Sequence, residues 1–391
     1  MKKWIYLAFS ILIMIFLGTV YSYSVFRMEI EHVFAIGSAD SGLPYMIALA
    51  SYAGFMVLTG KIIEYVKPKY IVMVGCLLVG IGWILSSFTT HILLLTITYG
   101  LISGAGVGIA YGVPIRMASL WFHEKKGFFV GIVLMGFGLS PLITAPLARS
   151  IIHTFGVMQT FRILGLIMIG IAILLPVSFS YPEQVLNEVI HHAQPDYKIK
   201  DFVRMRKFWG IYLNFLIGTM IGLMIIGMTS LVGIKMIGIS STKIHLYIAV
   251  FAVFNGAGRP FFGWITDRFS AVMAMRTAYL IIAIATLLFL LSGEHSLIFY
   301  SFSFALYWFT LGGFLAIAPT ATIKEFGETH YSKHYGIVFS AYGFGAIIGV
   351  LISGFLMDHF VGFNQVFYFI LALCLLGIIL VKKLLCLPKI N

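Results

Sequence analysis

Charge is scarce in this sequence. Only 10% of the 391 residues are Asp, Glu, Lys or Arg, whereas ordinary soluble domains carry about 25%. Together with an apolar and aromatic fraction of 60%, that scarcity excludes a water-soluble globule. Ten-residue stretches of alternating hydrophobicity are missing as well, which excludes a transmembrane β-barrel. Cysteine is limited to Cys76, Cys374 and Cys386, too few and too far apart for a disulfide framework or a thiolate metal site. Polar intervals are reduced to one of any length, about 180–207. That leaves no internal room for a soluble output domain.

What remains is a series of apolar runs of roughly 20 residues, the length that carries a helix across a hydrocarbon core of about 30 Å. Twelve spans are expected, at about 4–26, 43–63, 69–88, 92–114, 127–148, 159–179, 208–232, 245–264, 275–292, 297–320, 335–356 and 365–386. Met1-Lys2-Lys3 resembles the start of a signal peptide, but the run behind it is too long and no small-residue cleavage site follows, so the first span reads as a retained helix. The interval at 181–207 then separates two groups of six, 1–180 and 208–391. His191-His192 within it, without further ligands, reads as solvated loop rather than metal site.

Lysines and arginines set the orientation. With the N-terminus inside, 20 of the 26 fall on inner segments and five on outer segments or helix ends, and Arg259 lies within a span. This positive-inside bias predicts a multi-pass cell-membrane protein with both termini cytoplasmic. It also accounts for the net charge of +12 without a nucleic-acid partner.

The two halves echo one another. At the inner end of span 2, Gly60 precedes Glu64, Lys67 and Lys69; at the inner end of span 8, Gly263 precedes Asp267 and Arg268, with the two glycines 203 residues apart. Gly136-Phe137-Gly138 in span 5 returns as Gly343-Phe344-Gly345 in span 11, 207 residues later. Two echoes at nearly one offset indicate a six-plus-six duplication, the architecture of carriers that hold substrate near the membrane midplane between repeats.

Arg259 stands out against this background. It is eight residues before Asp267, which at 1.5 Å per residue buries it about 12 Å deep, where insertion scales charge roughly 2.5 to 3.5 kcal/mol for a cation. No Asp or Glu occupies the central part of any span. An incoming anion is the expected partner, and a planar guanidinium fork suits a carboxylate in two-pronged geometry. Asn255, one turn earlier on the same face, would position a substrate oxygen or the arginine itself. Pro260 removes the helical donor to the Gly256 carbonyl, and Gly256 and Gly258 remove bulk beside it, which makes the segment bendable.

With these stretches in view, the chain resembles the major facilitator superfamily over nearly its whole length, and within it the oxalate/formate antiporter and monocarboxylate transporter branches. The resemblance is carried by GTVYSYSVF (18–26), GVGIAYGVP (106–114), WFHEKKGFFVGI (121–132), NGAGRPFFG (255–263) and HYGIVFSAYGFG (334–345). It implies an all-α membrane protein with twelve transmembrane helices in two pseudo-symmetric six-helix bundles. It also implies that Glu64 and Asp267 help hold the inner side closed through basic neighbours such as Arg268, with Gly263 part of the same loop. Tyr111 matches a tyrosine that contacts substrate in bacterial monocarboxylate porters; Tyr21, Tyr23, Tyr307 and Phe314 are further cavity candidates.

Departures from the branches are informative. Oxalate transporters carry a lysine in span 11 where this chain has Tyr342, and a single central cation favours a monoanion over a dianion. Animal monocarboxylate transporters carry an aspartate at the place of Asn255 and a span 1 lysine that is missing here, so their proton relay does not carry over. The expectation is a secondary transporter of small monocarboxylates of the lactate, pyruvate or formate kind, a monomer working by alternating access, with proton symport ahead of anion exchange. An oxalate/formate-like exchanger is the near alternative, and a transport-like sensor the alternative of another class. An enzyme is not expected, for the spans hold no clustered nucleophile, acid and base, and no cofactor or metal is called for. The close glycines of 104–112 follow no strand and read as helix packing rather than nucleotide binding.

Overall fold

In hydrocarbon every backbone N–H and C=O must be satisfied within its own segment, so apolar runs of this length have little choice but to be helical. The computed structural model describes residues 2–63, 65–174, 179–182, 199–240, 243–291, 296–328, 330–359 and 363–386, and its secondary structure there is helical throughout. Eleven of the described helices are long and apolar enough to cross a membrane. Two expected spans are merged in the 49-residue helix Lys126–Leu174, which breaks at Gly156 (φ 79°, ψ 166°) into two stretches that each suffice for a crossing. That left-handed backbone is open to glycine at no steric penalty, so one residue divides spans 5 and 6.

Other boundaries moved for local reasons. Span 1 is a helix Lys2–Leu17, a 3₁₀ turn Gly18–Ser22 and a second helix Tyr23–Phe34, longer than the apolar run alone implied. Span 4 begins at Ile92–Leu95, where the His91 ring accepts from the Leu93 N–H at 3.3 Å. It then widens into a π-helical stretch, Thr96–Ser103, before Gly104–Trp121. Pro44 and Pro68 sit in the first turn of their helices, where a missing N–H removes nothing. Span 7, Arg206–Lys235, starts two residues earlier than expected. Of the interval 181–207, residues 183–198, including His191 and His192, lie outside the described residues, as does Glu64.

Chain contacts divide the molecule into two compact units. The first comprises Met1–Glu124, Gly136–Ala193 and Thr329–Gly343; the second comprises Lys125–Met135, Gln194–Glu328 and Phe344–Asn391. Each unit therefore contains the start of a helix from the opposite half of the sequence. In the first unit a Cβ on Gly60 would fall on the Ser332 carbonyl oxygen at the start of span 11; in the second a Cβ on Gly263 would fall on that of Gly127 at the start of span 5. The glycines that echo one another in sequence thus make the same kind of backbone approach, one in each unit.

Candidate functional site

The Ile244–Arg268 helix has two faces. Val250, Phe254, Phe261 and Trp264 are exposed, while Asn255, Gly256, Gly258, Arg259, Phe262 and Gly263 are buried. The outward stripe is apolar and suits lipid; the inward stripe carries the small and polar residues. Arg259 is 0% exposed and so faces protein rather than acyl chains. The helix runs unbroken through Pro260.

Small residues on two neighbouring helices make room for the arginine. A Cβ on Gly131 would meet the Arg259 carbonyl oxygen at 2.5 Å, and one on Gly312 would fall on the Asn255 carbonyl, 3.3 Å from Arg259 Cγ. Between them the guanidinium donates through Nη1 to the Leu134 carbonyl oxygen at 2.6 Å and through Nη2 to Asn255 Oδ1 at 3.1 Å. Asn255 in turn donates through Nδ2 to the Trp308 carbonyl oxygen at 3.0 Å. Asn255 is thus bonded to the arginine side chain itself, one of the two placements open to it from sequence. Both of the oxygens that the guanidinium meets are neutral acceptors, and the two bonds fix the direction of the fork.

The remaining sequence candidates fall into distinct places. In the first unit, Tyr342 and Tyr21 share a hydroxyl–hydroxyl bond of 2.7 Å. Tyr111 is buried against Phe137 at 5.3 Å and Phe339 at 5.5 Å, and Phe137 also meets Tyr21 at 5.0 Å. These three tyrosines belong to one aromatic cluster. Tyr23 does not share its bonds: its hydroxyl donates to the Ser41 carbonyl at 2.9 Å and its ring stacks on Tyr45, tying span 1 to the turn that follows. In the second unit the Tyr307 hydroxyl donates to Thr286 at 2.7 Å, and Phe314 packs on Gly218 and the Tyr279 ring. Both lie in helix seams.

At the end of the same helix, Asp267 Oδ2 accepts the Phe128 N–H at 2.9 Å, capping the first turn of Lys126–Leu174 from a distant part of the sequence. Its basic neighbour is Lys324, whose Nζ lies 3.7 Å from Oδ1 and donates to the Thr266 carbonyl at 2.6 Å; Arg268 is exposed. Lys126 pairs with Glu328 beside them. Removing a cap of this kind costs about 1 kcal/mol, so Asp267→Ala should lower the melting temperature of the purified protein by a few degrees, with Asp267→Asn, which still accepts, losing less. Equal losses for the two variants would count against the capping role.

Sequence reasoning passed over Arg116. It is buried, donates through Nη1 to Ser332 Oγ at 3.1 Å and lies 5.4 Å over the Tyr181 ring. The signal was present, a cation in the run VPIRMAS, but it falls two residues beyond the end at 114 expected for span 4. Cys76 and Cys374 are buried and Cys386 is exposed, all three as free thiols.

Apolar spanning helices, an internal repeat with matched glycine contacts, and a buried cation on an inward stripe define a multi-pass membrane carrier rather than an enzyme. The Major Facilitator Superfamily profile matches residues 7–240 and 234–389, and the chain belongs to that superfamily. Its relatives include the oxalate:formate antiporter of Oxalobacter formigenes, 26% identical over 368 residues, 94% of this chain and 87% of the relative. Human monocarboxylate transporter 12 is 24% identical over 322 residues, 73% of this chain and 61% of the relative. Among solved structures, the superfamily transporter FucP in the outward conformation superposes with a TM-score of 0.74 at 15% identity, covering 98% of this chain and 99% of that one. The human organic anion transporter TETRAN gives 0.71 at 13%, covering 97% and 99%. At those identities the structural likeness speaks for the fold alone.

Proposed function

We propose that this transporter carries small monocarboxylates, of the lactate, pyruvate or formate kind, by alternating access, with Arg259 as the carboxylate-binding cation. One observation carries the reading: a guanidinium buried on the inward stripe of a membrane-spanning helix, its direction fixed by bonds to the Leu134 carbonyl and Asn255. Its charge supplies attraction for an anion, and its planar fork supplies geometry for a carboxylate. The names of the oxalate:formate antiporter and the monocarboxylate transporters support the substrate class. Asn255 is assigned the orientation of the fork. Tyr111, Tyr342 and Tyr21, which share one aromatic cluster, are assigned to substrate, and Tyr23, Tyr307 and Phe314 keep a lesser claim because their contacts serve helix packing.

The lysine and arginine bias supports a cell-membrane protein with cytoplasmic termini; the division at 181–207 into halves 1–180 and 208–391, and action as a monomer, are parts of the same proposal. Glu64, Asp267 and Arg268, with Gly263, are assigned to the inner closure, and Gly256, Gly258 and Pro260 to the bending of span 8. Proton symport is the leading coupling mode.

An anion exchanger is the second reading, favoured by the antiporter relative that matches 94% of this chain. Uptake of labelled lactate into proteoliposomes, competed by pyruvate, formate, acetate and oxalate, separates the two. The monocarboxylates should compete at least tenfold better than oxalate, because one cation leaves half of a dianion's charge uncompensated in low dielectric. Preference for oxalate overturns the monocarboxylate reading. Acceleration by an imposed inward proton gradient in liposomes without internal anion supports symport, and a strict need for internal anion supports exchange.

A further inference from the structure

Tyr52, on the Leu43–Gly60 helix, has no part in the assignments above, yet it lies at the centre of the aromatic cluster in the first unit. It is 1% exposed. Its ring meets Tyr111 edge-on at 5.0 Å, Phe339 at 4.9 Å, Tyr342 at 5.8 Å and Phe137 at 6.0 Å. Tyr111 and Tyr342 thus both pack on one ring, although they come from spans 4 and 11.

The ring itself is anchored through its backbone. Gly104 and Gly108, one turn apart on span 4, face the backbone of span 2: a Cβ on Gly104 would meet the Ala48 carbonyl oxygen, and one on Gly108 would fall on the carbonyl oxygen of Tyr52. The helix that seats Tyr52 is also the helix that carries Tyr111, three residues beyond Gly108. Close backbone seating of this sort leaves an aromatic side chain few orientations, and such a support keeps contacting groups in one geometry. The edge-on pairs with Tyr111 and Tyr342 are also a favoured aromatic arrangement.

We propose that Tyr52 is a positioning residue for substrate selection: its ring fixes the directions of Tyr111 and Tyr342, and through them the protein discriminates among carboxylates by the part of the molecule beyond the carboxylate. This rests on the assignment of Tyr111 and Tyr342 to substrate under the proposed function. The choice of groups follows from chemistry: phenol rings and hydroxyls suit methyl, hydroxyl and keto groups, the parts in which these acids differ. Formate carries only hydrogen beyond its carboxylate and serves as the internal reference.

The test is a thermal-shift titration of the purified full-length protein with lactate and with formate, giving an apparent affinity for each acid by linkage. Wild type is compared with Tyr52→Phe, Tyr52→Leu and Tyr52→Met; methionine, unbranched and adaptable, fills an irregular gap better should leucine fail to fold. Expected is a lactate-to-formate affinity ratio within about twofold of wild type for phenylalanine, which keeps the ring, and a ratio lowered at least fivefold for leucine and methionine. Parallel loss for both acids, with the ratio unchanged, would show a packing role only and overturn the proposal. A phenylalanine variant as altered as leucine would also overturn it, because the hydroxyl rather than the ring would then be acting. Wild type unshifted by either acid overturns the carboxylate reading itself and this inference with it, an outcome recognisable before any variant is measured.

Discussion

Arg259→Gln is expected to abolish carboxylate uptake in proteoliposomes, by at least a hundredfold, while the protein still inserts, purifies and melts as a folded species. Removing a bidentate, charge-assisted pair of hydrogen bonds from a dry site costs several kcal/mol, and each 1.4 kcal/mol is a factor of about ten. Glutamine keeps an amide donor for the Leu134 carbonyl or Asn255 but removes the charge, so the variant tests attraction for the anion rather than the presence of a hydrogen bond. Arg259→Lys should also fail to restore normal uptake, since an ammonium is a point charge with no planar fork. The bonds to Leu134 and Asn255 raise a sharp opposing possibility, that the arginine is a tie between helices and nothing more. In that case glutamine would lower the melting temperature and leave transport of the surviving protein intact. Retained uptake per folded molecule therefore refutes the assignment.

Gly258→Leu should give the largest loss of stability. A Cβ at Gly258 would fall on the Phe309 carbonyl oxygen, 2.9 Å from the carbonyl carbon and 3.3 Å from the Phe309 Cα. Those are main-chain atoms of a neighbouring helix, so no rotamer change relieves the overlap. Across the same crossing, Gly312 faces the Asn255 carbonyl. Overpacking costs about 1 to 3 kcal/mol where side chains adjust, and occasionally more; here two helices must separate along their seam. A melting temperature lower by roughly 5 °C or more is expected, or failure to accumulate in the membrane. Gly54→Ala, where nothing lies within 4 Å of the added carbon, is the matching control and should leave the melting temperature within about a degree. A Gly258→Leu protein that melts with wild type would show that the helices are less closely seated than the structure places them.

The candidate site was legible in part, and the division follows chemistry. Arg259 could be found without coordinates because a cation is conspicuous in an apolar run, and its alignment with Asn255 followed from helical periodicity. Tyrosine gives no such signal in a chain with 20 of them: only the family resemblance set Tyr111 ahead of Tyr23 and Tyr307, whose hydroxyls serve the Ser41 carbonyl and Thr286. Tyr52 was invisible for the same reason. Asp267 was visible as a helix-end acid, but its partner was not, since Phe128 N–H and Lys324 lie 139 and 57 residues away.

Composition and run length alone decided that the chain is helical and membrane-spanning, because hydrocarbon forbids unsatisfied backbone and each span satisfies itself locally. The repeat was equally a property of the sequence, since duplicated glycines and acids keep their spacing whatever they touch. Tertiary structure decided which partner each inward residue meets: the Leu134 carbonyl for Arg259, the Trp308 carbonyl for Asn255, the Tyr52 ring for Tyr111 and Tyr342. A main-chain carbonyl carries no residue-specific mark, and a ring pairing depends on how closely glycines let two helices approach, so these partnerships come into being only when the helices are packed.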